Sequence, residues 1–493
     1  MSWIAEHWVV VVMFGVYTGF MVYHAIVGNR STHGLSDYYV GGRSMGGIVL
    51  GLSFFATYSS TNSFVGFSGQ AYSYGASWLL LAPAAVVFSL LAWMFVAPRL
   101  RAFTEQLDSV TVPDFIGFRF DSTTARFTAA LIVLFASFLY MTAIFKGIGN
   151  LLEVFLDIPY ALAILIILIV VMLYTAVGGF ISVVRTDAVQ GVVMVIAALL
   201  LFGGTVSAAG GLGAITDLRA SVDTADLFRW DTAMPFPVLI GIIMAGTMKF
   251  LVEPRQLSRF YALRDERARK QGLWISTLTF LVVYAMLLPI GLYAHAAIPE
   301  ALTETDLVVP TLLDSGIFSA PVSAFLLVAM VAAAMSSLDS VLLVMASTCE
   351  RDVVGIWQRT LTDKKALKAT RWYVGIFAII TAAIALDPPG QIVDLTVFSG
   401  GLYASCFFPA IVLGLYWRGG TGVGTVSSFV VGAFTYSIWR ALPVSDVVHE
   451  VFPAMALATG TYVVAGMFLG RRPEKVVAEL FDGETGKGKG ERY

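Results

Sequence analysis

The sequence predicts an all-α integral membrane protein, and three observations carry that prediction. Hydrophobic residues make up 58% of the chain and charged residues only 13%, with a mean hydropathy of +0.80, a balance outside the range of ordinary soluble domains. Apolar runs of roughly 20 residues, the length that crosses a bilayer as a helix, recur from one end of the chain to the other. Lys and Arg gather on alternate connections between these runs.

Taken in order, the runs give about 13 transmembrane helices, at 7–28, 46–75, 78–98, 124–152, 158–180, 186–209, 235–254, 271–298, 319–348, 372–388, 393–417, 423–442 and 448–470. The longest connections, 99–123, 210–234, 299–318 and 349–371, are too short for an inserted domain. Placing the N-terminus outside and the C-terminus inside puts nearly every basic residue on the inner side. The exceptions are Arg219, Arg229 and Arg440 outside, with Lys146 and Lys249 within spans. The outer connections instead carry Asp217, Asp223, Asp226, Asp231, Glu300, Glu304 and Asp306. The first apolar run lacks a basic n-region and a small-residue cleavage site, so it reads as an uncleaved span rather than a leader. The glycine-rich, polar end GETGKGKGERY reads as a solvated tail.

Composition also excludes several classes of function. A formal net charge of −2 offers no footprint for nucleic acid. Cys349 and Cys406 have neither disulfide-framework nor metal-site spacing, and the five histidines form no cluster. No Ser/His/Asp or metal constellation supports an enzyme. The expected ligands are a small molecule and an ion within the lipid bilayer, with no other cofactor and no obligate protein partner.

The stretch Ser53 to Gly69, SFFATYSSTNSFVGFSG, stands out inside the second run. Thr57, Tyr58, Ser59, Ser60, Thr61, Asn62 and Ser63 follow one another, and Ser, Thr and Asn side chains compete for backbone hydrogen bonds. Interrupted backbone at membrane depth persists only where it is buried in protein or lines a wet cavity. An unwound transmembrane helix that binds a solute and an ion is therefore expected here.

Ionisable residues at membrane depth cost roughly 2.5–3.5 kcal/mol on insertion scales, so each needs a partner or a function. Asp187 is readable as a helix cap or as a cation-site carboxylate. Ser336, Asp339 and Ser340 share one helix face by their i, i+3, i+4 spacing. They offer hard oxygen ligands suited to a small hard cation, while the serines alone would also suit a small-residue helix interface. Lys249 either pairs with Glu253 at i+4 or presents its charge to an anionic group of the solute. Lys146 lies near the outer edge, where Glu153 or water can satisfy it.

In this order and on these runs, the chain resembles the sodium/solute symporter family over about residues 30 to 440. The motifs are DYYVGGRSMGG, ATYSSTNSFVGFSGQAYSYGASW, VPDFIGFRF, YTAVGGFISVVRTDAVQG, EPRQLSRFYA, AAAMSSLDS and GGLYASCFFPAIVLGLYWRGGTGVG, with the likeness strongest to the pantothenate and proline branch. The resemblance implies a leucine-transporter-type fold with two inverted five-helix repeats. Residues 1–45 would form an extra helix and inner loop, 46–209 the first repeat, 235–417 the second, 418–470 two further helices and 471–493 a cytoplasmic tail. It also implies a sodium site made by the carbonyls of Ala56, Ser59 and Ala333 and the hydroxyls of Ser336 and Ser337. A second cation site, found in some members, would map onto Asp187, Ser336, Asp339 and Ser340. Asp339 departs from the hydroxyl usual in those members, and Tyr58 departs from the Asp of proline-type members. The solute-lining candidates are Tyr58, Ser60, Thr61, Ser63, Gln70, Lys249, Phe398 and Tyr403.

The function implied is sodium-coupled import of a small polar solute across the plasma (inner) membrane by alternating access. A carboxylate-bearing solute is expected: a monocarboxylate, a pantothenate-like acid or an amino acid. A symporter of sugars or other neutral solutes is the alternative, and a transporter-like solute sensor a more distant one.

Overall fold

The computed structural model describes residues 7–30, 34–229, 234–298, 302–357 and 363–482. Asp231, Glu300 and the whole of the expected solvated tail GETGKGKGERY lie outside these residues. The described chain is helical throughout, with an isolated bridge between Met45 and Leu263 as its only β pairing. The principal helices are α1 (Trp8–Arg30), α2 (Gly47–Tyr58), α3 (Phe67–Tyr74), α4 (Leu81–Leu91), α5 (Thr123–Leu156), α6 (Tyr160–Ala208) and α7 (Phe236–Thr247). They continue with α8 (Pro254–Tyr261), α9 (Glu266–Leu287), α10 (Ala320–Thr348), α11 (Asp363–Ala385), α12 (Ile392–Phe407), α13 (Gly422–Arg440) and α14 (Val451–Phe468).

Among the described residues, 10 helical segments are long and apolar enough to cross a membrane, against the roughly 13 expected. A helix lies within every expected stretch, and the shortfall has local causes. The break after Tyr58 leaves α2 only 12 residues long. The first arm of α6, Tyr160–Ala176, is also short, because Gly179 bends that helix at φ 65. This is a left-handed backbone conformation that glycine adopts without a Cβ clash. The helix α13 is diluted by Gly422, Gly424, Thr425, Ser428 and Gly432.

The helix α10 is the centre of the molecule, with 94% of its most apolar stretch buried. It packs against α1, α5, α6 and α11, while α2 lies against α6, α9 and α10. Its many Ala and Ser residues permit such close approach on all sides. Many large apolar side chains are exposed, for example Val16, Phe135, Ile169, Leu199, Phe434 and Val464. Such a surface suits contact with lipid.

Two helices are interrupted in the middle of this core. After α2 the backbone turns extended at Ser59 (φ −75, ψ 115), then resumes as a wide turn at Asn62–Gly66 before α3. After α7, a short turn Lys249–Val252 ends at Glu253 (φ −76, ψ 127). Pro254, which has no N–H to continue the ladder, then opens α8. The first break follows the expectation from Ser53 to Gly69. The second was not foreseen, although Glu253-Pro254 is its local signal, since the residue before proline is driven out of the helical region.

Candidate functional site

A helix end leaves its last carbonyls without partners, and at the first break they turn toward α10 and α8. Ser336 Oγ lies 2.9 Å from the Ala56 carbonyl and 2.8 Å from that of Ala333. Ser337 Oγ donates to the Thr57 carbonyl at 3.0 Å, and Arg255 Nη1 donates to the same oxygen. Ala56, Ala333, Ser336 and Ser337, four of the five expected sodium-site residues, are thus brought together. Ser59 is buried at the break, its hydroxyl without a partner among the described residues, while Thr57 supplies the oxygen that Ser337 meets. Such neutral oxygens are the donor chemistry that a small hard cation takes.

Below this cluster the structure places a cation that sequence reading missed. Arg259 Nη2 lies 2.7 Å from Asp187 Oδ2 and 2.7 Å from Ser340 Oγ. Ser53 Oγ donates to the same Asp187 oxygen at 2.7 Å, and Ser340 Oγ lies 3.5 Å from Asp339 Oδ1. Asp187, Asp339, Ser340 and Arg259 are all buried. Asp187 is therefore no simple helix cap. Of the expected quartet, Asp187 and Ser340 bond Arg259 and Asp339 stands beside Ser340, whereas Ser336 serves the carbonyls of Ala56 and Ala333. Two buried carboxylates here share the neighbourhood of one guanidinium, which pairs with Asp187, and Asp187 Oδ1 and Asp339 Oδ2 have no partner among the described residues.

Between the two breaks lies a narrow cavity lined by Tyr58, Asn62, Trp78, Tyr140, Lys249 and Arg255 among others. Of the two readings of Lys249, the pair with Glu253 is not formed. Glu253 instead accepts from Arg255, at 2.6 Å from Nε and 3.3 Å from Nη2. Lys249 is 3% exposed and has no ion pair among the described residues. Its Nζ lies 4.7 Å from the centre of the Tyr140 ring, and Arg255 Cζ lies 3.9 Å from it. Gly400 makes this placement possible, because a Cβ there would collide with the Lys249 stem and the Ala245 carbonyl.

The other solute candidates divide. Tyr58 lines the cavity, stacks on Phe250 at 4.2 Å and donates to the Gly246 carbonyl at 3.1 Å. Ser60 accepts from Asn62 N at 3.2 Å and so caps the resumed helix. Ser63 is bonded to the Tyr284 hydroxyl at 3.1 Å, and Thr61 packs against Gly147 of α5. Gln70 lines a second cavity with Asp394, Arg440, His449 and Glu450. Phe398 sits between Tyr436 and Arg440. Tyr403 is tied into α5 through Ser137 (2.9 Å) and the Val133 carbonyl (3.1 Å). Ser60, Thr61, Ser63, Gln70, Phe398 and Tyr403 thus stand outside the central cavity's lining, where Asn62, Trp78, Tyr140, Arg255 and Thr396 take their place. Lys146 is held by Asp306 at 3.1 Å and by the Gly390 carbonyl at 3.2 Å, not by Glu153.

The cavity of Gln70 shares Trp78, Ile242 and Val397 with the central one. Another cavity is lined by Tyr39, Thr111, Arg259, Ser340, Ser347 and Thr348, so Arg255 and Arg259, one turn apart on α8, line different chambers. An ion network adjoins this last chamber. Arg126 holds Asp352 at 2.7 Å and Asp114 at 3.0 Å, and Arg351 holds Asp114 at 2.8 Å. Thr111, which lines the chamber, donates to Asp352 at 2.7 Å.

Two interrupted helices facing one another across a cavity, with an oxygen cluster at one break, are features of secondary transporters. The sequence pattern of the sodium:solute symporter family matches residues 38–432. The chain belongs to that family. Two relatives illustrate its place there. The sodium/pantothenate symporter of Escherichia coli is 31% identical, covering 90% of this chain and 92% of its own length. The osmoregulated proline transporter OpuE of Bacillus subtilis is 30% identical, covering 96% and 97%. Among solved structures, a substrate-bound, outward-open Na+-coupled sialic acid symporter superposes with a TM-score of 0.81 at 19% identity, covering 94% of this chain and 98% of that one. Mhp1, a nucleobase-cation-symport-1 family transporter, superposes at 0.57 with 14% identity, covering 90% and 98%. At such identities the likeness shows the fold, which is of the leucine-transporter type. Membership of the sodium:solute symporters makes the ligands sodium and a small organic solute, and makes the protein a multi-pass membrane transporter.

Proposed function

We propose that this symporter imports a small carboxylate-bearing solute with sodium, by alternating access across the plasma membrane. The observation that carries the reading is Lys249, a buried ammonium in the central cavity whose neighbouring carboxylate, Glu253, is already taken by Arg255. A buried charge without a counter-ion is costly, and an anionic solute would supply that counter-ion. The sodium would bind between the first break and α10, at Ala56, Ala333, Ser336 and Ser337 with a carbonyl of Thr57 or Ser59. It would thereby hold the unwound segment in the shape that forms the cavity. Such coupling is reciprocal, so solute raises sodium affinity as sodium raises solute affinity.

A second monovalent cation fits the Asp187–Asp339–Ser340 cluster, where one guanidinium leaves a formal negative charge uncompensated. The N-terminus outside and C-terminus inside, with two inverted repeats at 46–209 and 235–417, complete the reading. Purified protein in liposomes tests it. A carboxylate that is taken up only with an inward sodium gradient is expected, and two sodium ions per monoanion would give an inward current. Uptake restricted to neutral sugars would overturn the carboxylate reading.

A further inference from the structure

Resting on the sodium site and the solute cavity as read above, we infer that Arg255 is a resident competitor for sodium and the positioning residue that couples ion to solute. Its guanidinium holds the Thr57 carbonyl while the ion is absent, and sodium takes that oxygen from it. Arg255 and Thr57 are both buried. The helix α2 stops at Tyr58, which leaves the Thr57 carbonyl without the partner that a continuing helix would give it. A buried acceptor left unsatisfied is costly, and Arg255 Nη1 and Ser337 Oγ supply the missing donors. A carbonyl oxygen has two lone pairs, so both are in use. Ser337 also belongs to the sodium site. An ion bound there and the guanidinium would therefore meet at one oxygen, where like charges repel.

The nitrogens of the guanidinium have different duties. Nε and Nη2 face Glu253, at 2.6 and 3.3 Å, whereas Nη1 reaches Thr57. Giving up Thr57 leaves the pair with Glu253 intact, so no buried charge is stranded by the exchange. The freed Nη1 carries two N–H donors in the lining of the central cavity, where Arg255 stands with Lys249 over the Tyr140 ring. An anionic group in the cavity accepts from it there in a charge-assisted bond. Sodium thus raises solute affinity by freeing a donor, and solute raises sodium affinity by keeping the guanidinium off Thr57. The two effects are equal, as linkage requires. A lysine cannot replace this device, because its point charge lacks the fork that spans two partners.

Binding of radioactive sodium to the purified full-length protein, without solute, tests the competition. Arg255→Met combined with Glu253→Gln removes both members of the pair and leaves neither charge alone. Its sodium affinity is expected to rise at least about tenfold, the effect of one charge-assisted hydrogen bond that the ion no longer displaces. A brace that merely shapes the break would give the opposite sign. Thermal-shift titration with lactate and pantothenate supplies the second readout. Sodium should tighten acid binding at least about fivefold in the wild type and less than about threefold in the double variant. Should the double variant fail to purify as a folded protein, Arg255→Lys replaces it, keeping the charge beside Glu253 and raising sodium affinity in the same direction. Sodium binding that is unchanged or weaker, or an acid enhancement of wild-type size in the double variant, overturns the inference. Sodium-enhanced binding of glucose in place of either acid is a different result: it overturns the carboxylate reading, while the sodium measurement still decides the competition.

Discussion

Arg255 donates to the carbonyl of Thr57: a residue just past the break in one helix closes the break in the other. The same guanidinium holds Glu253, the last residue before its own helix resumes. The two interruptions are thus one unit, in which a side chain replaces the backbone partner that each helix end lacks. Ser336 and Ser337 complete the unit from α10. An ion that competes for these oxygens necessarily acts on both breaks.

Replacing both hydroxyls, Ser336→Ala with Ser337→Ala, should abolish sodium-dependent uptake while the protein still reaches the membrane. Uptake measured in vesicles with and without a sodium gradient decides this. Undiminished sodium dependence in the double variant would remove α10 from the ion site.

Lys249→Met should weaken solute binding by about 10- to 100-fold, the effect of about 1.4–2.8 kcal/mol for a lost charged contact. Stabilisation by sodium alone should stay at its wild-type value, because Lys249 touches none of the oxygens around Ser336. Equal solute affinity in the two proteins would return Lys249 to a structural role.

Arg259→Gln strands Asp187 without its counter-charge, and breaking a buried pair from one side costs about 3–5 kcal/mol. A large fall in melting temperature is expected. Arg259→Gln combined with Asp187→Asn should recover part of it, since one buried carboxylate fewer is then left without a counter-charge. Additive losses in the double variant would show that the two side chains are not coupled.

Tyr403→Phe removes the hydrogen bonds to Ser137 and the Val133 carbonyl, a loss of about 1 kcal/mol. Solute affinity should be unchanged. A marked fall in affinity at constant stability would place Tyr403 at the solute after all.

Lys249 and Tyr403 also show how far the sequence reached. Lys249 was recognisable because a lone ammonium in an apolar run has few bland explanations, but its i+4 neighbour Glu253 offered one that only coordinates could remove. The resemblance implies a solute contact for Tyr403, yet nothing local indicates which way a tyrosine on a buried helix points. Arg255 and Arg259 were read with the inner-loop charges, because basic residues at the end of a span ordinarily face the cytoplasmic side. Their burial depends on carboxylates elsewhere: Glu253 across a proline break and Asp187 at the middle of α6.

The sequence by itself determined the helical membrane class, the place of the first break and the hydroxyl face of α10. Those properties are set by composition and by neighbours within a turn or two. Tertiary structure alone decided which polar groups meet: Thr57 with Arg255 and Ser337, Asp187 with Arg259, and Lys249 and Arg255 with the Tyr140 ring. A buried polar atom takes whichever partner the packing brings within about 3 Å, and the sequence position of that partner is not constrained by the chain around it.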